Sequence, residues 1–489
     1  MRILFNGFQS PHLVPVLTEL RARFGLDYIA TVDEHPSRAL EGIDHDHHNV
    51  WSVFRGDYAR PEHEWLPLDR ALVDRMAYCE TVVLRMMDRL DALSTTPYET
   101  YATRKALYLK HLQYWHDFLV RKKITHFIAT NIPHEVYDYV IYSLCKHLGI
   151  ETLMFRQSML PDATFLFRDY TVGPADLASA FEALPKDEPV SLEPYLEQYW
   201  AERTAPKTKA AEPFYMKAAR MHLTSTRSPF YVFRRFATFR RDFATKYGEA
   251  PLTHIVSDGL RRFRVRREMF EADERLWAHY RSLTQAPDLQ AKFIYVPLHM
   301  QPECSTSPLG GAFVEQDLMV RLLAGVVPPG VQIYVKEHPV QTSKGRETAF
   351  YDRLRALPNV RFMPLDTPSA TLIEHSLAVA TVTGTAGWEA LFAEKPVLLF
   401  GYFFYQYASG VFTIDTVEDA KSAVSKILEG FRPTVRDLRR FHRAVQDTAV
   451  RAYADEFYKP VSSVTPEQNA KNLAEALIAQ LAPRGDGAR

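Results

Sequence analysis

The stretch from Phe293 to Gln406 restricts the fold of this chain more than any other, because three apolar runs within it break abruptly into polar, small-residue turns. FIYVPLHMQPECSTSPLGG (Phe293 to Gly311) is an apolar strand opening into a polar, Gly-ended loop. VQIYVKEHP (Val331 to Pro339) is a strand over Val331–Val335 that runs straight into Lys336, Glu337, His338 and Pro339. LAVATVTGTAGWEALFAEKPVLLFG (Leu377 to Gly401) spells a buried strand, a small-residue turn, a helix and another strand. Alternating strands and helices call for a parallel sheet. All three runs set their polar groups just past the carboxyl end of a strand, the edge where open α/β sheets bind ligands.

The chemistry of those turns is specific. In Thr383-Gly384-Thr385-Ala386-Gly387 the small residues let backbone approach a phosphate, and the N–H groups of the helix start attract it. Glu389, placed in the first turn of that helix, is suited to accept hydrogen bonds from ribose hydroxyls. A tight strand–helix turn needs small residues in any case. Lys336, Glu337 and His338 supply a cation, an anion and a titratable imidazole in consecutive positions, and Pro339 ends the strand. An imidazole that titrates near neutrality can donate to a departing phosphate. His299, Gln301 and Glu303 alternate, so in an extended loop they point to one side, toward a sugar or a nucleobase. His299 alone reads equally as a core histidine.

The amino-terminal part has the opening of a Rossmann-like half. Ile3–Phe5 is a short strand, Asn6 to His12 a Gly-containing loop, and Leu13, Val16, Leu17 and Leu20 mark a helix that stops at Gly25. Leu26 to Thr31 is the next strand, and His12 falls near the helix start. HDHHNVW carries His45, Asp46, His47 and His48, residue types that ligate metals, but adjacent residues rarely converge on one ion and no second cluster accompanies them. No metal and no cofactor is expected. Leu68 to Leu93 and Tyr98 to Val120 read as amphipathic helices. His126 to Thr130 is a strand ending in NIPHEVYDYVIYSLCKHLGI, with a helix expected from Pro133, Glu135 in its first turn and Asp138 a turn on. Either carboxylate can serve as general base or as nucleophile toward an anomeric carbon. Alternatively, Glu135 complements the helix dipole and Asp138 is solvated. Strand Thr152 to Phe155 then leads to Arg156-Gln157-Ser158 and Pro161-Asp162.

Lys and Arg total 59 against 59 Asp and Glu, so overall charge makes no case for nucleic acid. Cys79, Cys145 and Cys304 lack CxxC spacing, which points to a reducing compartment with no disulfide framework. The first apolar run is too short for a signal peptide and no run reaches membrane-spanning length, so a cytoplasmic protein is expected. Asp176 to Pro213 is rich in Pro, Glu and Lys and reads as a loop or insertion. Lys217 to Arg267 carries thirteen positive residues against three acids, interleaved with Phe230, Tyr231, Phe233, Phe236, Phe239 and Phe243. Such a segment suits an anionic membrane surface or a polyanionic acceptor. It also suits a solvated helix face packed through its Phe stripe.

PLHMQPECSTSPLGG, YVKEHP and VTGTAGWEALFAEKPVLLFG together resemble the bacterial capsule polysaccharide biosynthesis family. That family includes enzymes of the two-Rossmann-domain (GT-B) type that transfer Kdo from CMP-Kdo. The resemblance is weaker over His126 to Asp169 and absent between Asp176 and Arg281. It implies an α/β fold of two Rossmann-like domains facing a cleft, with a helical basic insertion. The expected divisions are an acceptor domain over 1–175, the insertion over 176–290, a donor domain over 291–440, and closing helices and tail over 441–489. Ala444 to Tyr458 and Glu467 to Leu481 are the expected closing helices, the last crossing back to the first domain. The implied partners are a nucleotide-sugar donor and a polysaccharide or glycolipid acceptor. His338 and the TGTAG turn then belong to the donor site, and His12 becomes a base or acceptor contact unless it only caps or packs. One departure stands out: related Kdo transferases carry Glu-Asp-Gly where this chain has Arg156-Gln157-Ser158, which leaves donor sugar and stereochemistry open. A CDP-glycerol-type transferase and a non-catalytic capsule-assembly protein are the other readings. Asp-Tyr-Ser-Ser in place of TGTAGWEA is expected of the first, and the intact KEHP and TGTAG speak against the second.

Overall fold

A computed structural model of the chain describes residues 1–8, 13–36, 40, 45–93, 100–186, 188–205 and 252–482. His12 and the 217–251 part of the basic segment lie outside the described residues.

Two sheets organise the molecule. Strands β1 (Arg2–Asn6), β2 (Tyr28–Asp33), β3 (His45–Asn49), β4 (His126–Ala129), β5 (Glu151–Gln157) and β6 (Ala163–Phe167) run in the order β6-β5-β4-β1-β2-β3. The first five are parallel, and β6 turns back against β5. Strands β7 (Lys292–Pro297), β8 (Val331–Lys336), β9 (Val360–Phe362), β10 (Ala378–Thr381), β11 (Val397–Leu399) and β12 (Val411–Thr413) form a second, wholly parallel sheet ordered β12-β11-β10-β7-β8-β9. In each sheet the chain builds outward in one direction, then returns to build in the other. The reversal falls between β1 and β4 in the first and between β7 and β10 in the second, the doubly wound Rossmann pattern. The protein is therefore α/β with two Rossmann-like domains of the GT-B type.

The alternation of side chains along each strand explains why both faces must be covered. Leu4, Ala30 and Val32 enter one core while Ile3, Phe5 and Ile29 enter another. Phe293 and Tyr295 likewise part from Ile294 and Val296. The core holding Leu4 and Phe293 is continuous across the two halves. Trp388 Nε1 there donates to Tyr199 Oη at 3.0 Å, and the rings of Phe165 and Phe404 lie 5.9 Å apart.

The chain ends by returning to its first sheet. β13 (Val450–Arg451) pairs antiparallel with β6. The helix Pro466–Leu481 then packs Leu473 and Leu477 onto Val16, Leu17 and Leu20 of the helix Val14–Arg23. Asp162, at φ +48°, fastens this return by accepting from Ser462 Oγ (2.5 Å), Ser463 N (2.9 Å) and Ser463 Oγ (2.5 Å).

Several expectations need correction. The first closing helix is Val435–Thr448, not Ala444 to Tyr458, because the chain turns into β13 at Val450. The segment expected to be irregular contains helices Ala175–Ala183 and Pro194–Thr204. They bury Leu177, Leu196 and Tyr199, and Arg440 Nη2 donates to Leu184 O at 2.7 Å. Leu68 to Leu93 divides into helices Arg70–Arg75 and Ala77–Leu93, followed by Tyr101–Arg121. The end of the basic segment belongs to the helix Leu252–Leu283, whose Leu276 and Tyr280 are core of the second half. On it Arg264 and Arg267 are exposed and pair with Glu268 and Glu271 one turn on. Among the described residues no helix is long and apolar enough to cross a membrane.

Candidate functional site

The carboxyl ends of β7 and β10 flank the reversal in the second sheet, and their side chains are tied across it. His299 follows β7, and its Nε2 lies 3.0 Å from Thr381 Oγ1 at the end of β10. Thr383 N donates to the same nitrogen at 3.3 Å, and Gly384 N donates to Thr381 Oγ1 at 3.0 Å. A nitrogen that accepts from a backbone N–H carries no proton, so His299 is the Nδ1–H tautomer. Burial pushes its pKa down to about 3, with smaller contributions from His338 and Arg346. Gly384 admits no side chain: a Cβ would sit 2.5 Å from Thr381 Oγ1 and 3.2 Å from His299 Nε2. Gly384 caps the helix Thr385–Phe392 without a side-chain bond, and the backbone of Thr385 and Ala386 opens it. Glu389 lies in the second turn of this helix, not the first as expected, because the helix starts only at Thr385.

The Lys336-Glu337-His338 run is divided by the pleat. Glu337 points into the core and is only 1% exposed. Its Oε2 accepts from Arg346 Nε (3.0 Å) and Tyr351 Oη (2.8 Å), and its Oε1 accepts from His338 N (2.6 Å). A catalytic role is the expectation for Glu337; its carboxylate holds Arg346, Tyr351 and the backbone of His338. Arg346 extends this junction, donating to Gln301 Oε1 and to His299 O, each at 2.9 Å. The loop after β7 is held further by two amides. Gln316 accepts from His299 N (2.7 Å) and donates to His299 O (3.1 Å), while Gln341 does the same for Gln301 N and O (2.8 and 2.9 Å). Arg346, Gln316 and Gln341 went unnoticed in the sequence, where only their distance from the motifs is visible. The loop is thus folded, not extended, and His299, Gln301 and Glu303 do not share one side. Gln301 turns inward to Arg346 and Val314 O, whereas Glu303 is exposed.

Lys336 and His338 remain near the site. Lys336 Nζ donates to Thr367 O (2.5 Å) and Ser369 Oγ (3.3 Å), and burial lowers its pKa. His338 is partly buried, which lowers its pKa, while Glu303 and Glu337 oppose the shift. Val340 N donates to its Nδ1 at 3.4 Å, leaving Nε2 as the proton-bearing nitrogen of the neutral ring.

The first sheet has its own reversal between β1 and β4, and Tyr137 Oη bridges it by donating to Asn6 Oδ1 at 3.1 Å. The expected helix from Pro133 starts only at Tyr137. Before it, Val136 sits at φ +70°, ψ −73°, with Tyr137 N donating to Glu135 O at 2.9 Å, a strained γ-turn. Asp138 maintains this bend: its carboxylate accepts from Glu135 N (2.6 Å) and His134 N (3.1 Å). It is 2% exposed, so the solvated alternative is wrong, and burial, helped by the Glu135 charge, raises its pKa to about 7. Glu135 itself is less buried and pairs with His134, Nε2 to Oε1 3.3 Å. His45 to His48 form the edge strand β3, where the His48 ring packs among Tyr114, Trp115 and Phe118. Among the described residues no three His, Cys, Asp or Glu side chains group as a metal site.

The two carboxyl edges meet in one pocket, lined from the first half by Ile132, Arg156 and Tyr170 and from the second by Leu309, Tyr402 and Phe403. Residues 291–423 match the sequence family described as capsule polysaccharide biosynthesis protein. That match spans 133 of the chain's 489 residues. The matched segment contains His299, the Lys336-Glu337-His338 run and the Thr383–Gly387 turn. No curated protein matches the chain by sequence. Among solved structures, the Methanocaldococcus jannaschii UDP-GlcNAc 2-epimerase in complex with UDP-GlcNAc and UDP is 10% identical, with 91% of this chain and 100% of that one covered and a TM-score of 0.25. KpsC of Thermosulfurimonas dismutans, a beta Kdo 2,7 transferase, is 12% identical over 63% and 79% of the two chains, with a TM-score of 0.27. A mutant of S. aureus TarM, in complex with Fondaparinux, alpha-GlcNAc-glycerol and UDP, is 14% identical over 40% and 37%, with a TM-score of 0.23. At these scores the likenesses carry no argument about function.

Proposed function

We propose that the protein is a glycosyltransferase of capsule or surface polysaccharide biosynthesis. It takes a nucleotide-sugar donor on the second half and passes the sugar to a glycan or glycolipid acceptor on the first, with Kdo from CMP-Kdo as one candidate donor. The observation that carries this reading is the tie of His299 to Thr381 and Thr383 across the second sheet's reversal. It fixes a turn whose Gly384 admits no side chain, at the start of a helix, where N–H groups and the helix dipole favour a phosphate. The family match over the same residues supports it.

In this reading His338 donates from Nε2 to a phosphate oxygen of the leaving nucleotide. Its lowered pKa keeps the free ring neutral at pH 7, and an arriving phosphate raises that pKa again through its charge. Lys336, held on Thr367 and Ser369, adds positive field behind it. Glu135, oriented by the Asp138-held bend and by His134, is the carboxylate that works on the sugar or its acceptor. Asp138 and Glu337 position their neighbours. The basic segment from Lys217 to Arg267 holds the enzyme near anionic lipid, which co-sedimentation with anionic liposomes at rising salt tests.

Isothermal titration with CMP, CDP, UDP and GDP tests the central claim. One of the four should bind, and its binding should weaken when Gly384 is replaced. Absence of binding to all four would remove the donor site and the transferase reading with it.

A further inference from the structure

One short segment of the second half touches both the first half and the Thr383–Gly387 turn. Past β11 the chain makes a 3-10 helix, Phe404–Tyr407, whose residues differ in what they meet. The Phe404 ring lies 5.9 Å from that of Phe165 in β6. Gln406 Nε2 and Tyr407 Oη both donate to the carbonyl of Val172, in the loop after β6, at 3.1 and 2.6 Å. Tyr405, between them, meets the turn instead. It is wholly buried, and its hydroxyl donates to Gly384 O at 2.7 Å. Burial pushes the phenol pKa up, so the hydroxyl keeps its proton and remains a donor.

Gly384 is the residue before the helix Thr385–Phe392, and its carbonyl also accepts from Gly387 N at 3.1 Å. A peptide unit is planar and trans, so the C=O of Gly384 and the N–H of Thr385 point in opposite directions. Holding that carbonyl on Tyr405 therefore turns the first N–H of the helix away from the tyrosine. Gly387 makes room for the same bond, since a Cβ there would lie 2.7 Å from Tyr405 Oη. The Tyr405 ring is itself stacked on Trp388 of this helix, with ring centres 5.9 Å apart. We infer that Tyr405 is a positioning residue of the donor site, and that Phe404–Tyr407 couples it to the seating of the first half at Val172. The first half then contributes to nucleotide binding without touching the nucleotide. This rests on the donor site proposed above and adds what orients its backbone.

The test titrates the full chain with CMP, CDP, UDP and GDP, as wild type and as variants whose folding is checked by denaturant titration. Tyr405→Phe removes one hydroxyl and keeps the ring. It should lower affinity for the nucleotide that the wild type binds by about threefold to tenfold, the size of one hydrogen bond. Gln406→Ala combined with Tyr407→Phe strips both side-chain donors from Val172 O and should lower it by about twofold to threefold. The variant carrying all three changes should bind no more weakly than Tyr405→Phe alone, because the outer contacts act through this hydroxyl. A merely structural tyrosine would lower the denaturation midpoint and leave the affinity of the folded protein unchanged. Wild-type affinity in Tyr405→Phe or in the outer pair, or losses that add in the triple variant, overturns the inference. If Tyr405→Phe does not fold, the outer pair decides alone. A wild type that binds none of the four removes the transferase reading and this inference with it, whereas nucleotide binding that the variants leave unchanged removes only the coupling.

Discussion

His299 Nε2 and Thr381 Oγ1 lie 3.0 Å apart, joining the ends of the two strands between which the second sheet reverses direction. Because that nitrogen also accepts from Thr383 N, the imidazole shapes the turn that follows β10 as well as occupying the crevice. Gly384 is the position where this dependence can be tested. Gly384→Ala forces a Cβ to 2.5 Å from Thr381 Oγ1 and should cost about tenfold or more in nucleotide affinity, roughly 1.4 kcal/mol. Gly325→Ala is the control, since nothing lies within 4 Å of its Cβ position in the helix Gln316–Val326. It should raise stability by about 0.5–1 kcal/mol and leave affinity unchanged.

His338→Ala should lower turnover by roughly 10²-fold or more while affecting nucleotide affinity less, the mark of a group that acts as charge develops on the leaving phosphate. Transfer activity should persist in EDTA. Full activity in the variant, or activity lost in EDTA and restored by a divalent ion, would refute the role given to this imidazole.

The Glu337–Arg346 pair carries a stability prediction. Both side chains are essentially buried, so removing one partner strands the other charge. Arg346→Met should destabilise by about 3–5 kcal/mol, and Glu337→Gln should do so less because its amide oxygen still accepts. Denaturant titration of the single and double variants measures the coupling. An additive double variant would mean that the two do not act as a unit.

Stability should fall on acidification. Burial lowers the pKa of His299 and His111 to about 3 and of His48 and His442 to about 4. Each is depressed below its unfolded value near 6.5, so its contribution is complete above that pH and is lost as pH falls toward the folded value. Each can add a slope of up to about 1.4 kcal/mol per pH unit within that window. Asp138 acts in the opposite sense: its folded pKa near 7 exceeds the unfolded 3.8, so its contribution is present at low pH and lost as pH rises through 7. Replacing His442 by Phe, which keeps a ring against Trp388 (5.0 Å in the wild type), should reduce the slope between pH 4.5 and 6.5 by about one proton. An unchanged slope would show that His442 titrates normally.

The strands of the second sheet were legible because a strand buried on both faces is a continuous apolar run, as in Phe293 to Val296 and Val331 to Val335. Motifs at its carboxyl edge were legible for the same reason: each begins where such a run stops. What holds those motifs was not. Arg346 serves Glu337, Gln301 and His299 through bonds that span up to 47 residues, and a buried arginine has no local signature. The start of the helix at Tyr137 escaped because Pro133 is a plausible first helical residue. The bend at Val136 exists only through the Asp138 carboxylate folding back on the two preceding N–H groups. The helices Ala175–Ala183 and Pro194–Thr204 were hidden by a polar composition, since they bury few residues each and lean on the distant helix Val435–Thr448.

The return of the helix Pro466–Leu481 to the first sheet has a consequence for how the protein is made. Translation delivers β1 and β2 well before Leu473 and Leu477, whose side chains help cover Ile3, Phe5 and Ile29. The first half therefore has only the helix Val14–Arg23 over part of this face until the helix Pro466–Leu481 emerges, whereas the core holding Ile294 and Val296 is complete once Ile427 has been made. Maturation should proceed backwards, with the amino-terminal half completed only after the carboxyl-terminal half. Removal of the helix Pro466–Leu481 should then show its damage first at the strands β1 and β2.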